Sequence, residues 1–302
     1  MNPKVSILIP TYNQPEYIVQ ASQSALAQDY KNLEVIVSDD SSNNETNKLL
    51  ATFTSDNRFT YYRTALNIGR VANYRKLLYD YATGDWVVIL DGDDYYTDSN
   101  YITKAIELIN KNDKIVLVGA GILIKNEKKN SKYSYNLGTN TIVFDGKEVF
   151  TKYKRIPNHQ TDIYNREKAM ALNFYRDPSM GSDSESIYRL CLRGDVGYIA
   201  QDVAVWRLHE ENTSYKRDLQ TQIKEITFID SIYRDALNYL SAAELKSWKD
   251  IMMNYAGNHL LQIAINQKKS TSVWFLAFKY FDIKTALLHL VKYYRLQILG
   301  GK

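Results

Sequence analysis

The chain has 302 residues, 45% of them hydrophobic and 24% charged, with a formal net charge of +4 at neutral pH. That length buries a full core with room for a second, smaller domain, and so small a charge imbalance gives no footing for nucleic-acid binding. The single cysteine, Cys191, excludes an internal disulfide and a cysteine-based zinc site. It sits in the run Ile187-Tyr188-Arg189-Leu190-Cys191-Leu192, where a buried structural thiol is expected.

Residues 5–9 form a short apolar strand that Pro10 is expected to end. Residues 15–28 carry helical apolar spacing at Tyr17, Ile18, Ala21, Ala25 and Leu26. Residues 33–37 read as a second strand that runs into Ser38-Asp39-Asp40-Ser41-Ser42, and residues 45–54 as a helix. A third strand at 59–63 is followed by Asn67-Ile68-Gly69, then by a helix over 71–81 closed by Gly84. The strand at 86–90 ends abruptly in Asp91-Gly92-Asp93-Asp94. Short apolar strands alternating with helices predict an α/β fold, a doubly wound and mostly parallel sheet. Ligands of such sheets bind beyond the carboxyl ends of the strands. The polar clusters Thr11-Tyr12-Asn13, Asp39-Asp40 and Asp91-Gly92-Asp93 would therefore converge on one crevice.

Further along, residues 99–111 read as a helix and 114–124 as a strand. The lysine-rich stretch 125–140 is an exposed loop or hairpin, and 145–153 a short helix. Residues 183–193 form a helix stopped by Gly194. A last strand at 198–205 leads into Trp206-Arg207-Leu208-His209. From about Tyr215 strand signals vanish and helical spacing takes over, so a domain change is placed there. The final segment, 271–302, is aromatic and basic: Trp274, Phe275, Phe278, Tyr280 and Phe281 accompany Lys279, Lys284, Lys292, Arg295 and Lys302 against one acid, Asp282. Such a segment suits either a helix packed on the preceding domain or a basic amphipathic helix lying on a membrane. No stretch reaches the roughly 18–20 apolar residues that span a bilayer. The N-terminus lacks a signal-peptide pattern, so a cytoplasmic protein is expected.

Clustered carboxylates at the end of an apolar strand repel one another and are costly to bury. A hard divalent cation with oxygen ligands is the usual remedy, which makes Asp91 and Asp93 candidate metal ligands. Asp94 suits a helix N-cap equally well. The spacing of an EF-hand loop is absent. Gly119-Ala120-Gly121 has Ile124 where a dinucleotide fingerprint needs its third glycine, and it reads as strand on both sides. Asp183, in Gly181-Ser182-Asp183-Ser184-Glu185, fits an N-cap or a catalytic carboxylate. Arg207 and His209 fall on one face if the last strand continues.

Taken in order, these motifs resemble the family 2 glycosyltransferases of the GT-A fold, over roughly residues 3–215. The resemblance rests on the opening strand with Pro10-Thr11-Tyr12-Asn13, on Asp39-Asp40-Ser41-Ser42, on Asn67-Ile68-Gly69-Arg70 with Asn73, on Asp91-Gly92-Asp93, on Gly181-Ser182-Asp183 with Arg189-Leu190, and on Trp206-Arg207-Leu208-His209. It implies a Rossmann-like catalytic domain over 1–215, with a donor half at about 1–98 and an acceptor half at about 99–215. A helical C-terminal region, 216–302, would follow. Pro10, Thr11, Tyr12 and Asp39 would hold the nucleotide of a UDP-sugar, with Asn67 and Arg70 lining the same pocket. Asp91 and Asp93 would meet the ribose and a Mn²⁺ or Mg²⁺ ion, Arg207 and His209 the diphosphate or the metal. Asp183 would deprotonate the acceptor hydroxyl. Two departures stand out: Ser182 where the family usually has glutamate, and Ser41 where glycine is common.

The chemistry runs the same way. Displacing a nucleoside diphosphate requires positive charge on the leaving group, a sugar hydroxyl needs a general base, and in-line attack inverts the anomeric centre. The expected activity is transfer of a hexose from a UDP-hexose to a glycan hydroxyl, the acceptor being a lipid-linked oligosaccharide. Peripheral contact with the cytoplasmic face of the inner membrane through the C-terminal region is expected, and no nucleic-acid partner. His159, Gln160, Thr161 and Asp162 are candidates for acceptor binding. Two other readings stay open: a non-catalytic nucleotide-sugar-binding subunit of an assembly complex, and a metal-dependent hydrolase.

Overall fold

In the computed structural model the described residues are 2–127, 131–135, 140–152, 158–179, 181–209, 212, 227–266, 270–280, 286–288, 290–291 and 294–295. The sheet grows from β1 (Val5–Thr11), which is buried at every residue. A continuous apolar run is what a strand covered on both faces requires. β2 (Leu33–Asp39) pairs with it in parallel on one side, and β3 (Phe59–Arg63) continues outward from β2. β4 (Trp86–Ile89) pairs in parallel with the other side of β1. Strand order thus reverses at β1, and a reversal of this kind opens a crevice beyond the carboxyl ends of the strands. Three helices connect these strands: α1 (Pro15–Leu26), α2 (Glu45–Leu50) and α3 (Arg70–Lys76).

The second half adds β5 (Tyr95–Tyr96), α4 (Tyr101–Lys111), β6 (Ile115–Asn126), β7 (Ser131–Tyr135), β8 (Ile142–Phe144), α5 (Gly146–Lys152), β9 (Ile163–Asn165), α6 (Arg166–Ala171), α7 (Ser182–Cys191) and β10 (Asp195–Leu208). Across the sheet the order is β3-β2-β1-β4-β9-β6-β10-β5. β9 runs antiparallel between β4 and β6 and so joins the two halves. The fold is α/β with a mainly parallel sheet and a helical C-terminal region, as the sequence pattern predicts. α4 shows how sequence periodicity makes the core: Tyr101, Ile102, Ala105, Ile106 and Ile109 are buried on one helical stripe. Cys191 is a buried free thiol, and burial pushes its pKa up.

The structure corrects several element boundaries. β1 passes through Pro10 to Thr11. The Pro10 carbonyl accepts from the Gly92 amide, and the donor that proline lacks falls on that same side, past the last β4 residue, Ile89. The helix expected over 45–54 is α-helical only to Leu50 and tightens into a 3₁₀ turn, Ala51–Ser55. β10 is longer than expected at both ends, because Val196 and Gly197 pair with β6 and β8 and Trp206 to Leu208 pair with the end of β6. Gly119 to Gly121 lie inside β6. Within 125–140, β7 forms a hairpin with β6.

The chain divides into two compact units, Met1–Asn212 and Thr213–Lys302. Tyr215, at the expected domain change, lies outside the described residues, as do Tyr153, Phe281, Asp282, Lys284, Lys292 and Lys302. In the second unit α8 (Thr227–Ala236), α9 (Ala242–Asn266) and α10 (Ser270–Tyr280) pack in sequence. Ser241 and Glu244 form a reciprocal capping box at the start of α9, the Ser241 amide donating to Oε2 at 2.8 Å and the Glu244 amide to Oγ at 3.3 Å. Trp274, Phe275 and Phe278 of α10 remain exposed, with the Lys279 ammonium 5.4 Å from the Phe275 ring centroid. No helix of the described residues is long and apolar enough to cross a membrane.

Candidate active site

The site is assembled from the ends of β1, β2 and β4. Gly92 lets the acidic turn lie flat on β1, because a Cβ there would stand 2.9 Å from the Thr11 side chain and 3.0 Å from the Pro10 carbonyl oxygen. Asp40 organises the neighbouring loop. Its carboxylate accepts from the Ile68 amide (2.9 Å), the Gly69 amide (2.9 Å) and the Thr64 hydroxyl (2.6 Å). Gly69 takes φ +85°, a value glycine adopts without strain, and so turns the chain into α3. Asn67 and Arg70 are placed on either side of this turn. The Arg70 guanidinium lies 5.3 Å from the Tyr74 ring centroid.

The remaining nucleotide-side candidates differ in their freedom. Tyr12 is half-exposed and Thr11 buried. Asn13 at φ +52° ties the two strand ends together, its amide donating to Ser41 Oγ at 2.8 Å. Asp39 is wholly buried, accepting from the Ser41 amide (2.9 Å) and the Tyr61 hydroxyl (2.7 Å). Ser41, one of the two departures, thus serves both loops.

Asp91, Asp93 and Asp94 bring one carboxylate oxygen each to within 4.8 Å of one another. Their surroundings separate them. Asp91 accepts from the Tyr74 hydroxyl at 2.8 Å, and its other oxygen lies 3.0 Å from His159 Nε2. Burial opposes its charge, but His159 and Arg70 hold its pKa below the ordinary value. Asp93 Oδ2 lies 3.0 Å from His209 Nε2 and accepts from the Asn212 amide at 3.2 Å. Asp94 is spent on structure, accepting from the Arg207 backbone amide (2.8 Å) and the Gln160 side chain (2.9 Å). Burial and the neighbouring Asp93 and Asp91 charges push its pKa well up.

Arg207 and His209 do meet the acidic turn. The buried Arg207 guanidinium donates to the Asp93 carbonyl and to Gln20, between the rings of Tyr17 at 5.0 Å and Tyr95 at 4.3 Å. His209 stacks on Tyr17 with ring centroids 4.8 Å apart.

Asp183 stands in the first turn of α7, with its side chain 24% exposed. It accepts from the Ser184 amide at 2.8 Å, and its Oδ2 lies 2.8 Å from His159 Nδ1. Burial opposes its charge, and the His159 contact outweighs burial to lower its pKa. Burial likewise disfavours charge on His159, yet the flanking Asp91 and Asp183 raise its pKa well above the usual imidazole range. Each ring nitrogen thus faces a carboxylate. The wholly buried pair Glu185–Arg189, at 2.7 Å, steadies α7 below the site. Ser182 is buried in the core, and its position supplies no carboxylate.

His159 comes from the short 3₁₀ turn His159–Thr161. Sequence reasoning picks this segment for the acceptor, whereas Gln160, Thr161 and Asp162 all turn inward and are buried. Burial raises the Asp162 pKa well above the carboxylate range. The link through His159 and the Tyr74 hydroxyl on Asp91 are what sequence reasoning missed. The available signal was a histidine, one of only four, in a turn with no other periodic role.

The donor set fits a hard divalent cation: convergent carboxylate oxygens from Asp91 and Asp93, with His209 beside Asp93.

The family model described as "Glycosyl transferase family 2" matches residues 6–172. Among curated relatives, the GalNAc(5)-diNAcBac-PP-undecaprenol beta-1,3-glucosyltransferase of Campylobacter jejuni is 28% identical over 194 residues, 59% of this chain and 61% of that protein. The first relatives are matched over 40% of their own length, so the chain spans less than two thirds of these curated proteins. Among solved structures, S. aureus TarS 1–349 in complex with UDP aligns with a TM-score of 0.65 at 18% identity, over 85% of this chain and 71% of that one. The mannosyltransferase PcManGT from Pyrobaculum calidifontis, in complex with GDP-Man and Mn²⁺, aligns with a TM-score of 0.59 at 17% identity, over 98% and 81%. These two structures share the fold.

Proposed function

This chain belongs to glycosyl transferase family 2, and from that premise we propose that it is an inverting, divalent-metal-dependent hexosyltransferase acting from a UDP-sugar onto a glycan hydroxyl. One observation carries the reading. Asp91, at the end of β4, and Asp183, at the start of α7, meet across a single imidazole. A carboxylate at the nucleotide-sugar edge and a partly exposed carboxylate thus stand on either side of one ring.

The residues divide the work. Pro10, Thr11, Tyr12, Asp39 and Asn67 form the nucleotide wall, and Arg70 brings positive charge beside Asp91 and Asp183. Asp91 and Asp93, with His209, hold Mn²⁺ or Mg²⁺, and Arg207 fixes the acidic turn that carries them. When bound, the cation supplies positive charge against the departing diphosphate. Asp183 orients the acceptor hydroxyl and accepts its proton as the new glycosidic bond forms on the face opposite the leaving group. Residues 1–98 supply the donor half in this reading and 99–215 the acceptor half.

The names of similar proteins support the finer points. One relative is named for transfer to an undecaprenol-linked glycan, and the solved relatives hold UDP, or GDP-Man with Mn²⁺. A lipid-linked acceptor also suits the exposed Trp274, Phe275 and Phe278 beside Lys279. The chain would then work at the cytoplasmic face of the membrane.

The test begins with thermal stabilisation of the purified chain by UDP-glucose, UDP-N-acetylglucosamine and UDP-galactose, with and without Mn²⁺. The best donor is then offered with a lipid-linked oligosaccharide. Metal-dependent stabilisation followed by sugar transfer is expected. Release of free sugar without an acceptor would point instead to a hydrolase, and binding without turnover to a non-catalytic subunit.

A further inference from the structure

The side chain that joins the two halves of the site is itself unusually well fixed. The 3₁₀ turn carrying His159 packs against β4, β6 and β10. Thr161 Oγ1 donates to the Ala120 carbonyl at 2.9 Å, Gln160 donates to Asp94 at 2.9 Å, and the Tyr101 hydroxyl donates to the Thr161 carbonyl. The Tyr74 ring meets the imidazole edge-on at 6.0 Å. A turn pinned at so many points is a platform on which a ring can hold direction.

The two carboxylates depend on that ring unequally. Asp91 also accepts from the Tyr74 hydroxyl, which comes from α3. Asp183 accepts from the Ser184 amide, its own neighbour in the chain, and its other oxygen meets His159, while the Arg70 guanidinium adds only charge attraction. The directional contact that ties the Asp183 carboxylate to the rest of the site is the one from His159. Held at both oxygens, the carboxylate cannot swing, and its exposed edge is left to one direction of approach.

We propose that His159 is a positioning residue, which orients the Asp183 carboxylate for proton abstraction by tying it to the Asp91 edge and touches neither sugar nor acceptor itself. This inference rests on the reading of Asp183 as general base.

The test uses the full chain with His159→Ala, His159→Asn and His159→Gln. The amide nitrogen of asparagine sits where Nδ1 lay and can still donate to Asp183; that of glutamine sits nearer Nε2 and serves Asp91. With the UDP-sugar that stabilises the wild type most and a lipid-linked acceptor, His159→Ala should lower kcat about tenfold to a hundredfold. Affinity for UDP with Mn²⁺, measured by calorimetry, should fall less than kcat does, because Asp91 keeps the Tyr74 hydroxyl. His159→Asn should recover most of the lost kcat, and His159→Gln little of it. Melting temperatures confirm that each variant folds.

Unchanged kcat in a folded His159→Ala would overturn the proposal. So would rescue by glutamine but not asparagine, which would move the role to the Asp91 edge. Nitrogen NMR of the histidine side chains gives a readout independent of turnover: Asp183→Asn should shift the Nδ1 resonance of His159, and no shift removes the tie. A wild-type chain that transfers nothing while this shift is present would fail the base assignment and leave the tie standing.

Discussion

Nδ1 of His159 lies 2.8 Å from Oδ2 of Asp183, while the other ring nitrogen stands 3.0 Å from Asp91. One ring thereby ties a carboxylate at the end of β4 to a carboxylate at the start of α7. Two carboxylates this close would otherwise repel, and each would tend to keep its proton. The ring between them works against this and lowers the pKa of both carboxylates.

Asp183→Asn takes away the carboxylate proposed as proton acceptor while keeping the side chain's shape. Transfer should fall by about 10²–10⁴. Binding of UDP with Mn²⁺ should survive, because the nucleotide-side residues are untouched. Turnover assays beside calorimetry separate these effects. Transfer that persists at the wild-type rate in a folded variant would take the base role away from Asp183.

Asp93 and Asp94 are neighbours with opposite fates. Asp93 faces His209 and Asn212, and Asp93→Ala should abolish the dependence of UDP binding on Mn²⁺. Stabilisation by UDP that still rises with Mn²⁺ in this variant would exclude Asp93 as a metal ligand.

For Asp94 the expected loss is structural. Asp94→Ala leaves the Arg207 amide and the Gln160 side chain without their partner. A buried donor left unpaired costs about 1–3 kcal/mol, so a clear drop in melting temperature is expected, measured without ligand. An unchanged melting temperature would show that water or another group takes over both contacts.

The residues that could be read from the sequence are those whose signal is local. An apolar strand ending in carboxylates announces itself, and Asp39, Asp91 and Asp93 each stand at such an end. Sequence sets Asp94 apart only as a possible N-cap; its burial and its Arg207 and Gln160 partners show that it belongs to the framework. His159 could not be given its role because its partners lie 24 and 68 positions away and nothing periodic connects them. β9, three residues long, offers too few positions for alternation to show, yet it joins the two halves of the sheet. Pro10 misled for the opposite reason. A rule about missing donors predicts a strand end, but here the donor is missing where β4 has already stopped.

The exposed face of α10 makes a separate prediction about surfaces. Trp274, Phe275 and Phe278 with Lys279 should carry the chain onto vesicles containing phosphatidylglycerol more strongly than onto phosphatidylcholine alone. Salt should weaken the difference. Replacing the three aromatic residues with serine should lower co-sedimentation and leave stabilisation by UDP as it was. Equal binding to both vesicle types would remove the basic contribution.

Glu34 offers a test of stability against pH far from the catalytic groups. Its carboxylate accepts from Ser6 Oγ (2.5 Å), the Thr83 amide (2.7 Å) and Thr83 Oγ1 (2.8 Å), and pairs with Lys4 at 2.6 Å. Burial alone would raise its pKa; the Lys4, Ser6 and Thr83 contacts outweigh burial and hold it below the ordinary 4.5. A carboxyl whose pKa is depressed by folding stabilises the fold fully above its ordinary value, and that stability is lost as pH falls through the folded value. Glu34→Gln keeps an acceptor for Ser6 and Thr83 but loses the charge facing Lys4. At neutral pH the variant should be less stable by about 1 kcal/mol. Scanning calorimetry from neutral pH downward should show a constant gap between wild type and variant above pH 4.5, closing at lower pH. A gap that widens in acid would mean that Glu34 binds its proton more readily in the folded chain, the reverse of what these four contacts require.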